Sequence, residues 1–374
     1  MNYRPIAGKA GNPRILVAPL DWGLGHATRC VPVVYELLSQ NAEVWLAGEG
    51  AHEILLKREF PGLSFLYLRG YRVKYGYSRW GLFRTIFMQT PQILQAIKNE
   101  NAWLKKVVEE HHFDAIIADN RFGLYHPSVP CIFITHQLTI KTPFGKWSEK
   151  ILQNKNYRLI NRFSECWIPD EVGENNLAGE LSHPSMPPGL PVHYIGFLSR
   201  LKKNDIGEQK GRLFISLSGP EPQRTVFENL IIRDIAHYRG TATIVRGLPA
   251  DVNLIPSTND IRFFNHLPAA EMNDEMEKAE YVISRSGYST VMDIAALGKK
   301  SILVATPGQS EQEYLAKYLM QKKFALSFDQ DEFSIREALE KAVHFEYKMN
   351  EYSIHSKLSS FIESFLSKLC NDKL

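Results

Sequence analysis

Cysteine is scarce in this sequence. The four cysteines, Cys30, Cys131, Cys166 and Cys370, lie far apart, with no CxxC pair and no zinc-ligand spacing. This usage argues against a disulfide framework and suits a reducing cytosol. Long apolar runs are also missing, since no stretch reaches the roughly 18 consecutive apolar residues of a membrane span. The polar, glycine-rich start MNYRPIAGKAGNP has no apolar core, so no signal peptide is expected.

Net charge is small as well. Lys and Arg total 44 and Asp and Glu total 41, a net charge of +3, so no nucleic-acid partner is expected. A composition of 44% hydrophobic and 23% charged residues excludes a disordered tail, a collagen-like repeat and a coiled coil. A chain of 374 residues exceeds what one hydrophobic core usually serves, which predicts two domains.

Short apolar runs alternate with longer amphipathic stretches on both sides of the middle of the chain. The runs are 15–20, 44–47, 65–68, 115–118, 132–135 and 166–168, then 213–217, 243–245, 261–264, 281–283 and 302–305. Because such runs are typical of buried parallel strands, the alternation predicts an α/β fold of two doubly wound, Rossmann-like domains. These domains are expected to face a central cleft, with ligands bound at the ends of the strands.

Composition also suggests where the domains divide. The predicted first domain is 1–197, followed by a polar, charged linker at 198–211 and a second domain at 212–345. The remaining residues, 346–374, carry helical spacing. This last helix is free to dock anywhere, including back across the first domain.

The loop after the first predicted strand, DWGLGHATR, combines two glycines with a histidine. Gly23 and Gly25 would let the backbone approach a ligand closely, and His26 can take a proton near neutral pH. The alternative is a purely structural turn. Arg29 either reaches an anion, as part of an acceptor or phosphate site, or is solvated or paired with a carboxylate.

The loop after 213–217, SGPEPQRT, is a weaker candidate. Ser218 and the amides beyond it would hold a phosphate, with Arg224 as a possible charge partner. The two prolines in this loop equally suit a structural turn.

The segment YVISRSGYSTVMDIAALG gives the strongest pattern. A buried strand ending at Ser284 is followed by the turn of Arg285, Ser286, Gly287 and Tyr288 and by a helix that stops at Gly298. The start of this helix is predicted to bind a diphosphate. Asp293, one turn along, either accepts hydrogen bonds from ribose hydroxyls or only favours the helix dipole.

The next predicted strand leads into the helix start PGQSEQEY. Gln309, Gln312 and Glu313 cluster there and offer paired donors and acceptors for sugar hydroxyls. Glu and Gln are also common at helix starts for dipole reasons, so a structural role is the alternative.

Residues 262–319, which include SRSGYSTVMDIAALGKKSILVATPGQSEQEYL, are similar to the donor-binding half of the MurG-type glycosyltransferases. These are two-domain enzymes of the GT-B fold that move a sugar from a uridine-diphosphate donor to a lipid-linked acceptor. GLGHATR resembles the first loop of related GT-B proteins. The loop SGPEPQR departs from the family's glycine-rich version, which leaves the phosphate contacts of Ser218 and Arg224 open.

The resemblance implies a role for each matching position. The donor contacts implied are the backbone of Asn265, His266 and Leu267 on uracil, Ser286 and Gly287 on the diphosphate, Asp293 on ribose, and Gln312 and Glu313 on the sugar. His26 would act as the base, steadied by Asp119 at the end of another strand. Alternatively, Asp119 and Arg121 contact the acceptor or each other. His136 would line the acceptor site.

The implied reaction is an inverting displacement at the anomeric carbon, without metal or cofactor, in which UDP-sugar gives an N-acetylhexosamine or hexose to a lipid-linked or glycan acceptor. Three alternatives remain. A UDP-sugar hydrolase of the GT-B type would use His26 to activate water, and the GxGH…RC opening resembles such enzymes. A sugar epimerase and a non-catalytic nucleotide-sugar-binding protein are the others.

A basic, aromatic stretch at 69–87, RGYRVKYGYSRWGLFRTIF, contains no acidic residue. It is a candidate for contact with anionic lipid, which would place the protein in the cytoplasm and peripherally on the inner face of the plasma membrane. The alternatives are aromatic side chains that pack inward and, less favoured by the near-neutral charge, base stacking. The triplet Asp329-Gln330-Asp331 is interpreted as the polar entry to a helix rather than a metal site.

Overall fold

A computed structural model describes residues 12–72, 79–249, 251–349, 352 and 354–371, with backbone only at 79–88, 354–356 and 371. These residues form two compact units. Residues 12–72, 88–198 and 354–371 belong to the first unit, and the described residues of 74–87 and 199–352 belong to the second.

The first unit is built on a parallel sheet of seven strands. They are β1 (Arg14–Pro19), β2 (Glu43–Gly48), β3 (Ser64–Tyr67), β4 (Ala115–Asp119), β5 (Cys131–Ile134), β6 (Glu165–Ile168) and β7 (Val192–Tyr194). Their order is β3-β2-β1-β4-β5-β6-β7, so the direction of winding reverses between β1 and β4. Ligands bind at such a switch point in doubly wound sheets, because the two adjoining loops diverge there.

The second unit repeats this plan with six parallel strands. They are β8 (Gln209–Ser216), β9 (Thr241–Val245), β10 (Ile261–Phe264), β11 (Ala279–Ser284), β12 (Ser301–Val304) and β13 (Leu326–Phe328). The order is β10-β9-β8-β11-β12-β13, which places the switch point between β8 and β11. The predicted class, two doubly wound Rossmann-like domains, is confirmed.

Ten helices accompany the strands among the described residues. They are α1 (Gly25–Ser39), α2 (Gly50–Glu59), α3 (Arg79–His111), α4 (Lys146–Ile160), α5 (Gln223–Ile235), α6 (Ala269–Lys278), α7 (Tyr288–Leu297), α8 (Ser310–Gln321), α9 (Ile335–His344) and α10 (Ile354–Asn371). Within the described ranges, none of these helices is both long enough and apolar enough to cross a membrane.

The segment expected as a linker, 198–211, packs into the second unit. The amides of Asn204 and Ile206 donate to the Glu277 carboxylate at 3.0 and 3.1 Å, and β8 already begins at Gln209. The polar residues of this segment therefore bind a buried acid of helix α6 instead of leaving a free connection.

The last helix returns to the first unit. Phe361 and Phe365 of α10 each lie 5.0 Å from the fully buried Trp167 of β6, edge to face. The side-chain amide of Gln40 donates to the Ser359 carbonyl at 3.0 Å. The first unit is thus completed by residues from the end of the chain.

Candidate active site

The loop between β1 and α1 is held by its neighbours at both ends. Gly23 adopts φ +73°, a conformation that glycine tolerates best, and its carbonyl accepts a hydrogen bond from His52 Nε2 at 3.0 Å. The Asp21 carboxylate accepts bonds from the amides of Tyr71 and Arg72 at 2.8 and 3.0 Å. The loop therefore presents the start of α1, and with it His26, in a defined position.

His26 and Asp119 meet at the β1–β4 switch point. His26 lies in the first turn of α1, and Asp119 ends β4 opposite Pro19 of β1. His26 Nδ1 is 3.1 Å from Asp119 Oδ1, and the carboxylate is fully buried while 15% of the imidazole side chain is exposed. The structure brings together the predicted base and its predicted partner, and their catalytic roles remain predictions.

Arg29 joins this pair as a buried cation. It is 2% exposed, and its Nε donates to Asp119 Oδ2 at 2.5 Å while Nη2 bonds the other carboxylate oxygen. Nη2 also lies 2.7 Å from His26 Nδ1, and Nη1 lies 3.2 Å from Nδ1 of the buried His136. Of the alternatives for Arg29, pairing with a carboxylate is the one found.

Electrostatics fix the charges of this cluster. Burial would raise the pKa of Asp119, but the Arg29 guanidinium, followed by His26, holds that pKa below its usual range. Burial, reinforced by Arg29, lowers the pKa of His26 to about 4. Burial also raises the pKa of the neighbouring Cys30 thiol. At neutral pH the cluster therefore combines a carboxylate, a guanidinium and an uncharged imidazole.

In the second unit, the turn after β11 has the predicted boundaries. The strand ends at Ser284, Gly287 precedes α7, and Gly298 ends that helix with φ +62°. The Ser286 hydroxyl is fully buried and donates to the Gln312 carbonyl at 2.8 Å, which ties the starts of α7 and α8 together. The predicted diphosphate site therefore has a fixed backbone.

The Arg285 side chain lies in the core of the second unit. It is fully buried and donates to the carbonyls of Val304, Ala305 and Gln223 and to Gln330 Oε1 at 2.6 to 3.3 Å. Because these hydrogen bonds occupy the guanidinium, any contact of Arg285 with the nucleotide-sugar donor would be made by its backbone. Tyr288, at the first position of α7, is 2% exposed and likewise packed.

Asp293 on α7 has a partner that sequence analysis missed. Its Oδ1 accepts a hydrogen bond from the Ser199 hydroxyl at 2.6 Å. Burial raises the pKa of Asp293 to about 6, although Ser199 and Arg200 act in the opposite direction. Ser199 and Arg200 stand in the polar segment that was interpreted as a linker, and nothing in that pattern indicated a partner for Asp293.

The predicted sugar-contacting residues lie together at the start of α8. Gln312 Oε1 accepts from the Thr306 amide at 3.0 Å, and its Nε2 donates to Gln309 Oε1 at 2.6 Å. Glu313 Oε1 accepts from the Gly308 amide at 2.9 Å. These bonds stabilise the turn between β12 and α8 and orient the three side chains on one helix start.

The predicted uracil loop follows β10. The Asn265 side chain accepts a bond from Arg246 Nη1 at 2.6 Å and donates to the Asp251 carbonyl at 2.8 Å. His266 is partly exposed and Leu267 is buried. The side chain of Asn265 therefore braces the loop, which is compatible with a role through the backbone.

The loop after β8 offers fewer groups for binding a phosphate than its composition suggested. Arg224 is buried and pairs with Glu221 at 2.6 Å and with Glu228 at 3.2 Å. Its charge is thus balanced by two carboxylates. Ser218 is partly exposed at the β8–β11 switch point.

The Arg121 guanidinium forms its salt bridge with Glu100 of α3 and not with Asp119. The two are buried, with Nη1 and Oε1 3.2 Å apart, and the Tyr71 hydroxyl donates to Glu100 Oε2 at 2.7 Å. The described start of the 69–87 segment is therefore packed inward at Tyr71. Residues 73–78 and the side chains of 79–88, where most of the predicted lipid contact falls, lie outside the described residues.

Metal ligation has little support in the part of the chain that the structure describes. No group of three or more His, Cys, Asp or Glu residues there is arranged to hold a metal ion. In the triplet 329–331, Gln330 starts a single 3-10 turn, and its side chain bonds Arg285.

Comparisons with known proteins agree with this architecture. Residues 256–368 match the model of the glycosyltransferase family 28 C-terminal domain. The UDP-N-acetylglucosamine–N-acetylmuramyl-(pentapeptide) pyrophosphoryl-undecaprenol N-acetylglucosamine transferase of Glaesserella parasuis is 25% identical over 352 residues, covering 89% of this chain and 91% of that protein. The enzyme of the same name from Rhodopseudomonas palustris is 42% identical over 74 residues, 19% of this chain and 18% of that protein.

Among solved structures, the glycosyltransferase of kitacinnamycin superimposes with a TM-score of 0.62 at 14% identity, covering 96% of this chain and 95% of that chain. This likeness, with the two parallel sheets, defines the class: the chain has the GT-B fold of glycosyltransferases. Within that class, the sequence matches confirm the predicted resemblance to the MurG-type glycosyltransferases.

Proposed function

We propose that the chain transfers an N-acetylhexosamine or hexose from a UDP-sugar to a lipid-linked or saccharide acceptor, with His26 as the base. The observation that carries the proposal is the uncharged imidazole held beside a buried carboxylate at the β1–β4 switch point. The names of the relatives support the substrate classes, since they specify UDP-N-acetylglucosamine and a pyrophosphoryl-undecaprenol acceptor.

The second unit would bind the donor. Helix α7 begins after Gly287 without a side-chain cap, and a Cβ at that glycine would meet no atom within 4 Å. A ligand can therefore come close to the backbone amides at the start of α7, and such amides suit a diphosphate. Asp293 would accept hydrogen bonds from ribose, Gln312 and Glu313 would contact the sugar, and the 265–267 backbone would contact uracil.

The chemistry follows from the first unit. His26 removes the proton of the acceptor hydroxyl while that oxygen forms its bond to the anomeric carbon. The bond from this carbon to the diphosphate oxygen breaks in the same step, and the α7 amides stabilise the departing charge. Asp119 stabilises the imidazolium that forms. This scheme requires no metal and no cofactor.

The proposal includes a place in the cell. A lipid-linked acceptor would bring the enzyme to the inner face of the plasma membrane, as a cytoplasmic protein bound peripherally. The basic, aromatic stretch 69–87 supports lipid contact by its composition alone.

Replacing His26 tests the proposed base. We expect His26→Ala to lower the transfer rate by roughly 10²- to 10⁴-fold, the usual contribution of a general base, because no other group would take the acceptor proton. The measurement is sugar transfer, together with thermal stabilisation by UDP, which should be unchanged. His237→Ala, an exposed histidine of the second unit, is the matched control.

Two further outcomes distinguish the alternatives. Stabilisation by UDP, but not by ADP or GDP, would support the donor class, and indifference to all three would contradict it. Sugar release from UDP-sugar that is as fast without an acceptor as with one would instead identify a hydrolase in which His26 activates water.

A further inference from the structure

The hydroxyl of Ser199, the first residue of the second unit after Leu198, is buried and fixed in direction. Ser199 is 1% exposed, and its Oγ accepts a hydrogen bond from the Leu201 amide at 3.0 Å. A serine hydroxyl has one proton to donate, and that proton goes to Asp293 Oδ1 at 2.6 Å. This distance is typical of a hydroxyl that donates to a charged carboxylate.

The segment that carries Ser199 is itself held by helix α6. The Lys202 amide donates to Asn273 Oδ1 at 2.8 Å, and the Asn204 amide donates to the Glu277 carboxylate. Asn273 and Glu277 are buried and lie one turn apart on α6. Ser199 is therefore kept in place by contacts that do not involve Asp293.

The Asp293 carboxylate, by contrast, depends on Ser199 for its orientation. An aspartate side chain has several staggered rotamers, and a hydrogen bond to one oxygen selects among them. Within the described part of the chain, Ser199 is the hydrogen-bond partner of this carboxylate, which leaves Oδ2 for a ligand. Burial raises the pKa of Asp293, while the Ser199 hydroxyl and the Arg200 guanidinium lower it.

We propose that Ser199 is a positioning residue for nucleotide binding, which orients the Asp293 carboxylate so that Oδ2 meets a ribose hydroxyl. The inference rests on the proposed function, in which Asp293 binds ribose. Ser199 acts through Asp293 and does not itself touch the donor. It contributes in two ways: the carboxylate loses less rotamer freedom when the nucleotide binds, and its charged form is stabilised.

Nucleotide affinity of the full-length chain, measured by isothermal titration calorimetry, tests the proposal. We expect Ser199→Ala to weaken UDP binding roughly three- to tenfold, the usual effect of losing one hydrogen bond. The dideoxy analogue of UDP, which lacks both ribose hydroxyls, should bind the variant and the unmodified chain with equal affinity. A loss confined to the nucleotide with hydroxyls reports the orientation of the carboxylate.

The pH dependence of UDP affinity gives a second measurement. Because the charged carboxylate binds ribose, affinity should fall as the pH drops through the pKa of Asp293, about 6. Loss of the Ser199 bond raises this pKa, so the fall in Ser199→Ala should occur at higher pH. Arg200 is present in both proteins, and the terminal phosphate of UDP titrates equally with both, so the difference between the two midpoints reports Asp293.

Ser182→Ala is the matched control. The buried Ser182 hydroxyl donates to the buried Asp170 Oδ2 at 2.5 Å, so this variant removes the same kind of bond from the first unit. It should lower the free energy of unfolding without changing UDP affinity or the pH midpoint. In an Asp293→Ala background, Ser199→Ala should cause no further loss of UDP affinity, because the group that it orients is gone. Circular dichroism confirms that each variant is folded.

Two results would overturn the positioning role and leave the proposed function intact. The first is unchanged UDP affinity in Ser199→Ala when Asp293→Ala weakens it. The second is a loss that is equal for UDP and its dideoxy analogue, or that persists in the Asp293→Ala background, since either would be general damage. UDP affinity that Asp293→Ala leaves unchanged would instead contradict the proposed function at this carboxylate.

Discussion

The protonation of His26 depends on which neighbour its Nδ1 engages. Asp119 requires an N–H at this atom, whereas Arg29, itself a donor, requires a lone pair there. Only the first tautomer leaves Nε2 without a proton and able to accept one from a hydroxyl. Since the two Arg29 bonds to Asp119 already hold the guanidinium in place, the tautomer with the proton on Nδ1, which donates to Asp119, is the one that prepares the base.

At Asp293, stability and function make opposite demands on the charge of the carboxylate. A carboxylate that is useful for binding ribose is charged, but burial raises its pKa to about 6 and so penalises the charged form. The folded state takes up a proton more readily than the unfolded state. This contribution to stability is therefore present at low pH and is lost as the pH rises from about 4 to about 6.

We therefore expect Asp293→Asn to stabilise the protein at neutral pH. The asparagine removes a charge that is costly to bury and can still accept the Ser199 hydrogen bond, so the free energy of unfolding should rise by roughly 2 kcal/mol at pH 7. The gain should shrink below about pH 6 and vanish near pH 4. Urea unfolding over this pH range measures it, and Asp260→Asn, at an exposed carboxylate, is the control.

UDP affinity provides the second measurement on the same variant. If Asp293 holds ribose through charge-assisted hydrogen bonds, Asp293→Asn should bind UDP at least about tenfold more weakly. Higher stability together with weaker binding cannot result from general misfolding. Lower stability at pH 7, or unchanged UDP affinity, would contradict the interpretation of this carboxylate.

Among the elements, α7 shows what local sequence is able to predict. Its preceding strand is apolar on both faces, its start is a small-residue turn and its end is a glycine, and each of these signals is contained within a few residues. The boundaries predicted from them are confirmed. Strands β7 and β13 were missed because each has only three residues and the central one is polar, His193 in β7 and Ser327 in β13, so neither contains an apolar run.

The glycine that ends α7 gives an element-level prediction. Gly298 adopts φ +62° and a Cβ there would meet no atom within 4 Å, so Gly298→Ala tests backbone strain without a steric clash. We expect a loss of about 1 kcal/mol in the free energy of unfolding, because alanine is disfavoured in the left-handed conformation. Urea unfolding measures it. Gly62→Ala, also in open space but without positive φ, should change little, and an equal loss there would contradict this explanation.

Side-chain partners were beyond sequence analysis where they lie far apart in the chain. Ser199 and Asp293 are separated by 94 residues, and Arg29 and Asp119 by 90. The His26–Asp119 pairing was nevertheless proposed, because both residues follow strands and the resemblance suggested their roles. Ser199 had no such support, since it lies in a polar segment that resembles a linker.

At the scale of the whole molecule, the chain builds two similar sheets and then closes the first with its last helix. The first unit therefore includes α10, although more than 150 positions separate Leu198, where the earlier part of that unit ends, from Ile354, where α10 begins. Helical spacing at 346–374 predicted the helix but not its place. In the structure, Phe361 and Phe365 of α10 pack edge to face against Trp167 of β6.

This arrangement predicts that damage to α10 weakens the first unit selectively. Phe365 is 6% exposed and packs on Trp167, so we expect Phe365→Ala to cost roughly 3–5 kcal/mol through lost burial and the cavity left behind. Hydrogen exchange resolved by peptide should show faster exchange in β6 and α1 and unchanged exchange in β8 and β11. Glu363→Ala, at an exposed position of the same helix, should leave all four elements protected. Equal loss of protection in both sheets would mean that the two units unfold as one, contrary to a local role for α10.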